Sequence, residues 1–498
     1  MSCPRGSQSA AAPRKHKVRA FSTVRQVWGA ISRTGFLSLS ISRKRPISTL
    51  LILIGEGRQA MEITDILLRS QVLVKELAEG LNVGRCTFEK VEEQILRFIY
   101  ELGQALEKEV LAGLQEPTVE NSLRVGERTA VYSGMRNLRF RNRFGGMVVL
   151  ARRCYKFRDA AGGWSPLEEK LGLDRCMGYS PLMSYLLSSV GGSEAFARGG
   201  QLLSEVLGFS VSATAVQRNT EAIGERIPDN PYAMISAQRG QQPCEVMVVE
   251  VDGTISPQIL EKPGIGGRES LKQPTDWKEC NVVVIQKIRG SKEVDRWTGA
   301  RYGKHQEFEI YAGRAALAMG QHFAQKVVFL ADGAHTNWEL QKTNFPGSVG
   351  ILDFYHASEH LGVFCGLLKD QRRAKVTHTR WAHMLLDGQA LQVVQELRRK
   401  ADTVTERDSA IREINYFRNN LSRMDYDAYK AQGLPIGSGL VEGSCKFVVA
   451  KRFKGSGMRW KRRDNTRVLR VRTEKLNGNL HHYFQPQPQD WIPESAVA

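Results

Sequence analysis

The chain has 498 residues, of which 42% are hydrophobic and 25% are charged, a composition typical of a folded protein rather than a disordered one. Its formal net charge of +19 indicates a polyanionic partner, with nucleic acid the leading class. The longest apolar run, Ile47 to Ile54, is shorter than the roughly 20 residues that span a bilayer, so no membrane anchor is expected. The eight cysteines form no Cys-x-x-Cys pair, which argues against a disulfide framework and favours a reducing cytoplasm.

The first segment, residues 1–60, is a basic leader. Residues 1–55 hold ten Lys or Arg and no acid, which leaves 61 basic and 52 acidic residues for the rest of the chain. Such a composition is typical of an organellar transit peptide, of a disordered arm that touches DNA, or of a translated upstream region. We favour the last interpretation, with the true start at Met61, because helical periodicity begins only there.

Residues 61–125 form a predicted helical N-terminal region. Thr87 is the expected N-cap of an amphipathic helix, a kind of element that usually packs or dimerises. Its apolar face contains Phe88, Val91, Ile95, Phe98, Ile99, Leu102 and Leu106.

Residues 126–235 combine short strands with an outline of a helix-turn-helix. The first helix is predicted to end near Leu207, Gly208 to supply the turn, and Ser212 to cap the second helix. Helical hairpins of this length also occur in protein cores, so packing remains an alternative to DNA contact. The residues expected to meet DNA on the second helix are Thr214, Gln217 and Arg218.

The C-terminal half alternates strands and helices around a strand-free interruption. Residues 236–362 are predicted to form the first part of a catalytic core, 363–431 a helical insertion, and 432–475 the second part with a basic helix. Residues 476–498 are a tail.

Two apolar strands each end at a carboxylate followed by glycine. In EVMVVEVDGT, Met247, Val249 and Val251 lie on one face and Asp252 on the other; in VVFLADGA, Asp332 follows the strand. Because strands buried on both faces share a rim at their tips, the two carboxylates are expected to lie together and clamp a divalent cation.

The third acidic residue, Glu442, lies in the first turn of a predicted helix, on which Val441, Cys445, Val448 and Val449 face inward. Three carboxylates supply oxygen ligands suited to magnesium or manganese. A pair of such ions, about 3.5–4 Å apart, supports cleavage and joining of phosphodiesters. Taken singly, each Asp-Gly is equally typical of a hairpin turn, and Glu442 of a residue that interacts with the helix dipole.

A basic strip with aromatic residues follows Glu442 and is predicted to bind a phosphate backbone and an unstacked base. The alternative is a solvated basic helix face. The strip contains Lys446, Lys451, Arg452, Lys454, Arg459, Trp460, Lys461, Arg462 and Arg463.

At these motifs the sequence resembles the insertion-sequence DDE transposases of the ISKra type, over roughly residues 120–475. The matching pieces are VDGT at Asp252, ADGAHTNW at Asp332, FPGSVGILDFYHASEHL (345–361) and IGSGLVEGSCKFVVAKRFKGSGMRW (436–460).

The resemblance implies an α/β fold with an RNase H-like mixed sheet flanked by helices and interrupted by a helical insertion. It implies a magnesium- or manganese-dependent transposase with the catalytic and metal-binding residues Asp252, Asp332 and Glu442, and with Asp353 and His356 as accessory residues. Expected partners are the double-stranded DNA of terminal inverted repeats and target, and further copies of the chain, in the prokaryotic cytoplasm near the nucleoid. Relatives often carry cysteines of a small zinc element near residues 153–166, where this chain has only Cys154, so no zinc is expected.

Rival interpretations remain. A transposase-derived protein could bind DNA without cutting it, and a nuclease could share the fold. His356, Glu359 and His360 spell H-x-x-E-H, the motif of an inverted zinc protease, although that function would leave the three carboxylates and the basic strip unexplained.

Overall fold

A computed structural model describes residues 58–159, 162–259, 273–486 and 491–493, so the interpretations of the leader up to residue 57 lie outside the described residues. The chain divides into two compact units, residues 1–91 and 92–498, and the second unit holds all the candidate site residues. Within the described ranges, the helices are either too short or too polar to cross a bilayer.

The first unit contains helix α1 (Arg58–Asn82) and the beginning of helix α2 (Phe88–Ala112). Gly84 between them has φ of 68°, a left-handed conformation that suits glycine at the end of a helix. The hydroxyl of Thr87 accepts a hydrogen bond of 3.3 Å from the backbone nitrogen of Lys90. The predicted N-cap of α2 at Thr87 is therefore confirmed.

After the rest of α2, the second unit continues with a long antiparallel ribbon rather than the short strands that the sequence indicated. Strands β1 (Ser122–Val125) and β2 (Arg128–Arg141) form a hairpin, and β2 pairs in turn with β3 (Met147–Phe157). The register shifts between Tyr132 and Gly134, where a glycine with φ of 112° accommodates the irregularity.

A helical region follows the ribbon. Gly208, with φ of 68°, ends the helix before it at Leu207, and the hydroxyl of Ser212 accepts a hydrogen bond of 3.1 Å from the backbone nitrogen of Ala215. The predicted turn and cap are confirmed. The helices are α3 (Pro166–Lys170), α4 (Pro181–Ser193), α5 (Phe196–Leu207), α6 (Ala213–Arg226), α7 (Pro231–Met234) and α8 (Ala237–Gly240).

A five-stranded mixed sheet organises the rest of the unit. In their order across the sheet, its strands are β6 (Lys292–Tyr302), β5 (Thr275–Arg289), β4 (Cys244–Ile259), β7 (Ala324–Ala331) and β8 (Val349–Leu352). Its first three strands form an antiparallel meander, whereas β7 is parallel to β4 and β8 is parallel to β7. Helix α9 (His305–Ala318) precedes β7 in the chain, and helix α10 (His335–Asn344) precedes β8.

Both faces of this sheet are buried. Successive side chains of a strand point to opposite faces, so Val283 and Ile285 of β5 join one apolar cluster while Val282 and Val284 join another. The first cluster includes Phe308 of α9 and the second includes helices from the C-terminal part of the chain. A sheet covered on both faces explains why its strands are almost continuously apolar.

Helices alone follow β8 until residue 431. They are α11 (Phe354–Gly366), α12 (Gln371–Leu386), α13 (Ala390–Lys400), α14 (Arg407–Asn419) and α15 (Tyr426–Ala431).

The chain then returns to the sheet. Helix α16 (Gly439–Ser444), a π-helical turn (Cys445–Ala450), α17 (Lys451–Phe453) and α18 (Arg462–Leu476) cover the second face. The four inward-facing positions predicted for this stretch, Val441, Cys445, Val448 and Val449, are all buried. The segment β9 (Trp491–Pro493), which lies in the predicted tail, pairs with β1. The chain is therefore an α/β protein with two sheets, as predicted at that level.

Candidate active site

Asp252 lies within β4, not at its end. The strand pairs with β7 up to Glu250 but continues beside β5 as far as Ile259, so the expected strand end at Asp252 is wrong. Asp252 instead marks the place where the sheet narrows. Met247, Val249 and Val251 are buried on the opposite face, but Val248 and Glu250 between them are buried too, because both faces of the sheet are covered.

The Asp252 carboxylate is half-buried and close to other charges. Its Oδ1 accepts a hydrogen bond of 2.7 Å from the backbone nitrogen of Gly253. Burial raises the pKa of Asp252 and the negative charge of Asp332 raises it further, whereas a hydrogen bond with Cys445 and the positive charge of His356 act in the opposite direction. The structure thus brings Asp252, Asp332 and His356 within electrostatic reach of one another.

Asp332 follows β7 directly, as the sequence predicted. Its Oδ1 accepts hydrogen bonds from the backbone nitrogen of Ala334, at 3.0 Å, and from the side-chain nitrogen of Asn337, at 2.9 Å. Gly333 has φ of 95°, a conformation that lets the chain turn sharply after the strand. The carboxylate is therefore held by the first turn of α10.

Asp353 follows β8 in the same way and is only 2% exposed. It accepts hydrogen bonds of 2.8 Å from the backbone nitrogen of Tyr355 and from Nδ1 of His356, and a further one from the hydroxyl of Ser438. Burial acts to raise the pKa of Asp353, but the hydrogen bonds from His356 and Ser438 hold it below its ordinary value. Asp353 is thus a buried carboxylate that is fully satisfied by its neighbours.

His356 is the cation of this group. Its hydrogen bond with Asp353 raises the pKa of His356 to about 9 against the opposing effect of burial, and Asp332 raises it too. The imidazole is therefore positively charged at neutral pH and faces the acidic ends of the strands.

Glu442 is the predicted site residue that stands apart. It lies on α16, whose start is fixed to the sheet by the contact of Ser438 with Asp353, but its own side chain is 48% exposed. The carboxylate lies 2.5 Å from Nζ of Lys446, one helical turn further on.

These positions determine which of the predicted ligands could share a metal ion. Across residues 58–159, 162–259, 273–486 and 491–493, no three His, Cys, Asp or Glu side chains are arranged to hold a metal ion. The structure brings Asp252 and Asp332 together and leaves Glu442 outside that pair.

The H-x-x-E-H motif is divided between two carboxylates. Nδ1 of His356 binds Asp353, whereas Nδ1 of His360 lies 2.6 Å from Oε2 of Glu413. The ring of His360 also stacks on Tyr416 at 3.6 Å between centroids. Each imidazole is therefore held by its own local partners.

Most, but not all, side chains of the predicted basic strip are exposed. Its exposed members are Lys446, Lys451, Lys454, Arg459, Arg462 and Arg463, and Lys461 is half-buried. Lys454 donates a hydrogen bond of 2.8 Å to the hydroxyl of Thr254 in β4, which places the strip beside the extension of that strand.

Two members of the strip are not on the surface, which corrects the expectation that they face DNA. Arg452 is 1% exposed and donates to the backbone oxygen of Gly191 through Nε at 3.1 Å and through a terminal nitrogen at 2.9 Å. Its guanidinium lies 4.7 Å from the ring centre of the buried Trp460 and 4.8 Å from that of Phe196. Arg452 and Trp460 therefore connect the predicted basic strip to the end of α4.

On helix α6, the three residues predicted to meet DNA are exposed on one side. Thr214, Gln217 and Arg218 face solvent, while Asn219 and Thr220 are buried. Gln217 donates a hydrogen bond of 2.7 Å to Glu221 on the same helix. Their role in DNA binding stays a prediction.

The structure also places Glu250, which the sequence analysis did not single out as a site residue, in the interior beside this group. It lies two residues before Asp252 on the same face of β4 and accepts a hydrogen bond of 2.9 Å from the backbone nitrogen of Val441 in α16. A carboxylate within an apolar strand was a signal in the sequence, but its partner is 191 residues away.

Comparison with known proteins adds little to this geometry. No family model and no curated protein matches the chain. Among solved structures, the Drosophila P element transposase strand transfer complex matches with a TM-score of 0.23 and 10% sequence identity, over 63% of this chain and 82% of the other. Similarity at this level is too low to establish a common fold or activity.

Proposed function

We propose that the chain is a DDE transposase of an insertion sequence, which nicks DNA strands and joins the freed 3′ ends to target DNA. The proposed catalytic residues are Asp252, Asp332 and Glu442. One observation carries the proposal: Asp252 and Asp332, on adjacent parallel strands, lie close enough for the charge of Asp332 to raise the pKa of Asp252. Two like charges placed together at the edge of a sheet are typical of a cation-binding site.

The architecture supports the same assignment. The mixed sheet with its helices on both faces, and the helices between β8 and α16, agree with an RNase H-like domain that carries a helical insertion before its last acidic residue. The resemblance of the surrounding motifs to ISKra-type transposases is consistent with it.

The donor atoms near Asp252 and Asp332 suit a hard divalent cation. Both side chains offer carboxylate oxygens, the ligands that magnesium and manganese prefer, and neither is neutralised by a direct ion pair within the described residues. When bound, such an ion activates a water or a 3′-hydroxyl and stabilises the leaving oxygen of a phosphodiester.

The protein groups have separate proposed tasks. Asp252 and Asp332 are the proposed ligands, and the positive charge of His356 balances them and faces the position of a scissile phosphate. Glu442 takes part only if it exchanges Lys446 for the site, because the two are bonded to each other.

A DNA path along the exposed basic residues completes the proposal. Lys451, Lys454, Arg459, Arg462 and Arg463 follow Glu442 in the chain and are exposed, so they are available to phosphates. Two or more copies of the chain would pair the two ends of the element on DNA.

The experiment uses the purified full chain, Mn²⁺ and a linear fragment carrying the DNA that flanks the gene on both sides. Wild-type protein is expected to nick at the element ends and to join the 3′ ends to a plasmid. Asp252→Asn and Asp332→Asn should lower both activities by at least about a thousand-fold while still shifting the fragment in a gel. The matched control Asp402→Asn, which alters an exposed acid 3.7 Å from Arg407, should behave as wild type.

Equal cleavage by wild type and Asp252→Asn would refute the catalytic assignment. Nicking without joining would indicate a nuclease of the same architecture. The bond between Glu442 and Lys446 favours a second candidate, a transposase-derived protein that binds DNA without cutting it. A gel shift by wild type with neither nicking nor joining would support that candidate.

A further inference from the structure

We propose that Tyr416, on helix α14, is a positioning residue for the acidic end of β7, and that helices α14 and α15 hold the candidate site in place through tyrosine hydroxyls. This inference deepens the proposed function and rests on it for the role of Asp332.

The direct contact is made to the backbone of the acidic residue itself. The hydroxyl of Tyr416 donates a hydrogen bond of 2.8 Å to the carbonyl oxygen of Asp332. The ring also fills the space beside Gly333, where an added Cβ would lie 2.8 Å from Cε2 and 2.9 Å from the hydroxyl oxygen of Tyr416. Tyr416 therefore fixes both the carbonyl and the turn that follows it.

Tyr416 is itself held rigidly. Its ring stacks on the imidazole of His360 with an interplanar angle of 20°, and Glu413, one turn earlier on α14, binds Nδ1 of that imidazole at 2.6 Å. Tyr416 and Glu413 of α14 thus both contact His360 of α11. A side chain fixed by stacking and by a neighbour's hydrogen bond can set the position of its own partner accurately.

The neighbouring strand is held in the same way. Strand β8 is at the edge of the sheet, and the backbone nitrogen of Asp353 bonds inward to Ala331 of β7 at 2.8 Å. The hydroxyl of the fully buried Tyr426 donates at 3.0 Å to the carbonyl oxygen of Leu352, and that of Tyr429 at 3.4 Å to the carbonyl oxygen of Gly350.

These contacts answer a physical need of the sheet. Buried carbonyl groups need hydrogen-bond donors, and alternate carbonyls of an edge strand have no neighbouring strand to bond. Tyr426 and Tyr429 therefore supply donors where a further strand would otherwise lie beside β8, the edge strand that leads to Asp353.

A purely structural role predicts a loss of stability alone, whereas positioning predicts a loss of turnover without a loss of DNA affinity. Tyr416→Phe removes one oxygen and keeps the stacked ring. We expect the melting temperature to change little, kcat for nicking in Mn²⁺ to fall about 10-fold, and KM for the flanking DNA fragment to stay the same. The matched control is Tyr232→Phe, since Tyr232 is exposed, and it should behave as wild type in each measurement.

Amide hydrogen exchange separates this inference from the proposed function. In Tyr416→Phe, the peptide spanning residues 330–338 should exchange about 10-fold faster than in wild type, with Tyr232→Phe unchanged. Faster exchange in Tyr416→Phe, together with a wild-type protein that cuts no DNA, would retain the positioning role of Tyr416 and refute the proposed transposase activity. Unchanged exchange, or unchanged kcat in an active protein, would overturn the positioning role.

A second variant protects the test against a folding failure. Glu413→Gln keeps Tyr416 but weakens the bond that fixes His360, so it should give a smaller fall in kcat in the same direction. Wild-type kcat and exchange in Glu413→Gln, with Tyr416→Phe unfolded, would also overturn the inference.

Discussion

The backbone nitrogen of Val441 donates a hydrogen bond of 2.9 Å to Oε2 of Glu250. Glu250 is 1% exposed, and burial raises its pKa to about 7 while the bond from Val441 acts to lower it. A carboxylate at the start of a helix interacts favourably with the helix dipole and satisfies an N–H group that has no partner within the helix. This contact helps to join the strand that carries Asp252 to the helix that carries Glu442.

The first prediction concerns this contact. Glu250→Gln keeps an acceptor oxygen for Val441, so the free energy of unfolding should change little. Glu250→Leu buries the N–H group without a partner, which should lower the free energy of unfolding by about 1–3 kcal/mol. Urea denaturation at neutral pH measures both.

Glu279→Leu is the matched control for that series, since Glu279 is an exposed acid on β5, and its stability should stay within about 0.5 kcal/mol of wild type. Equal stability of Glu250→Leu and wild type would show that the contact with Val441 does not hold α16.

Local patterns predicted the elements of the site well. The apolar run that contains Met247, Val249 and Val251 predicted a buried strand, and the spacing of Val441 and Cys445 predicted the inward face of α16 and the π-helical turn after it. Both follow from the geometry of one strand or one helix. The continuation of β4 to Ile259 was missed because it depends on pairing with β5, and the glycine after Asp252 instead indicated a turn.

Long-range contacts left no local signal. Tyr416 contacts Asp332 across 84 residues, and Arg452 contacts Gly191 across 261 residues. A run of basic residues in the sequence does not reveal which of them will be buried by bonding to a carbonyl group far away in the chain. The assignment of Arg452 to a DNA surface failed for that reason.

The second prediction separates the two neighbours Lys451 and Arg452. Arg452→Ala removes the hydrogen bonds to Gly191 and leaves a gap between two rings, so the free energy of unfolding should fall by about 2–3 kcal/mol. Lys451→Ala changes an exposed side chain and should leave stability within about 0.5 kcal/mol of wild type.

DNA binding should be affected in the other variant: Lys451→Ala, which keeps its stability, should lose affinity for DNA, whereas Arg452→Ala should not lose a phosphate contact. Lys451→Ala should weaken DNA binding and reduce the slope of log affinity against log salt by about 1. Folded Arg452→Ala, studied at low temperature, should keep the wild-type slope. A reduced slope for Arg452→Ala would show that this arginine reaches phosphates.

The third prediction tests the contact of α6 with α18. A Cβ added at Gly224 would lie 2.2 Å from the carbonyl oxygen of Arg467, a backbone atom that cannot move independently of its helix. Gly224→Ala should therefore separate the helices and lower the free energy of unfolding by about 1–3 kcal/mol. Gly366→Ala is the control, because nothing lies within 4 Å of its added Cβ, and it should be neutral or slightly stabilising. Equal effects of the two substitutions in thermal denaturation would contradict the close approach.

The fourth prediction is a pH dependence within the helices that follow β8. Glu396 on α13 binds the guanidinium of Arg380, with Oε1 at 3.0 Å, and accepts a hydrogen bond of 2.7 Å from the indole nitrogen of Trp381. The bond with Arg380 lowers the pKa of Glu396 from 4.5 to about 2, against the opposing effect of burial. Since the folded pKa is depressed, the unfolded chain binds a proton first as the pH falls. The stabilisation is therefore complete above pH 4.5 and is lost as the pH falls from there through about 2.

Glu396→Gln should accordingly lower the free energy of unfolding by about 1–3 kcal/mol at pH 7, and the difference from wild type should shrink steadily below pH 4.5. Urea denaturation of both proteins at pH 7, 4 and 3 measures that difference directly, and other titrating groups cancel because they are common to the pair. Asp402→Asn should show no such trend, since it alters an exposed acid. A difference between Glu396→Gln and wild type that is equal at pH 7 and pH 3 would mean that the charge of Glu396 does not stabilise these helices, because only a charge-dependent contact disappears on protonation.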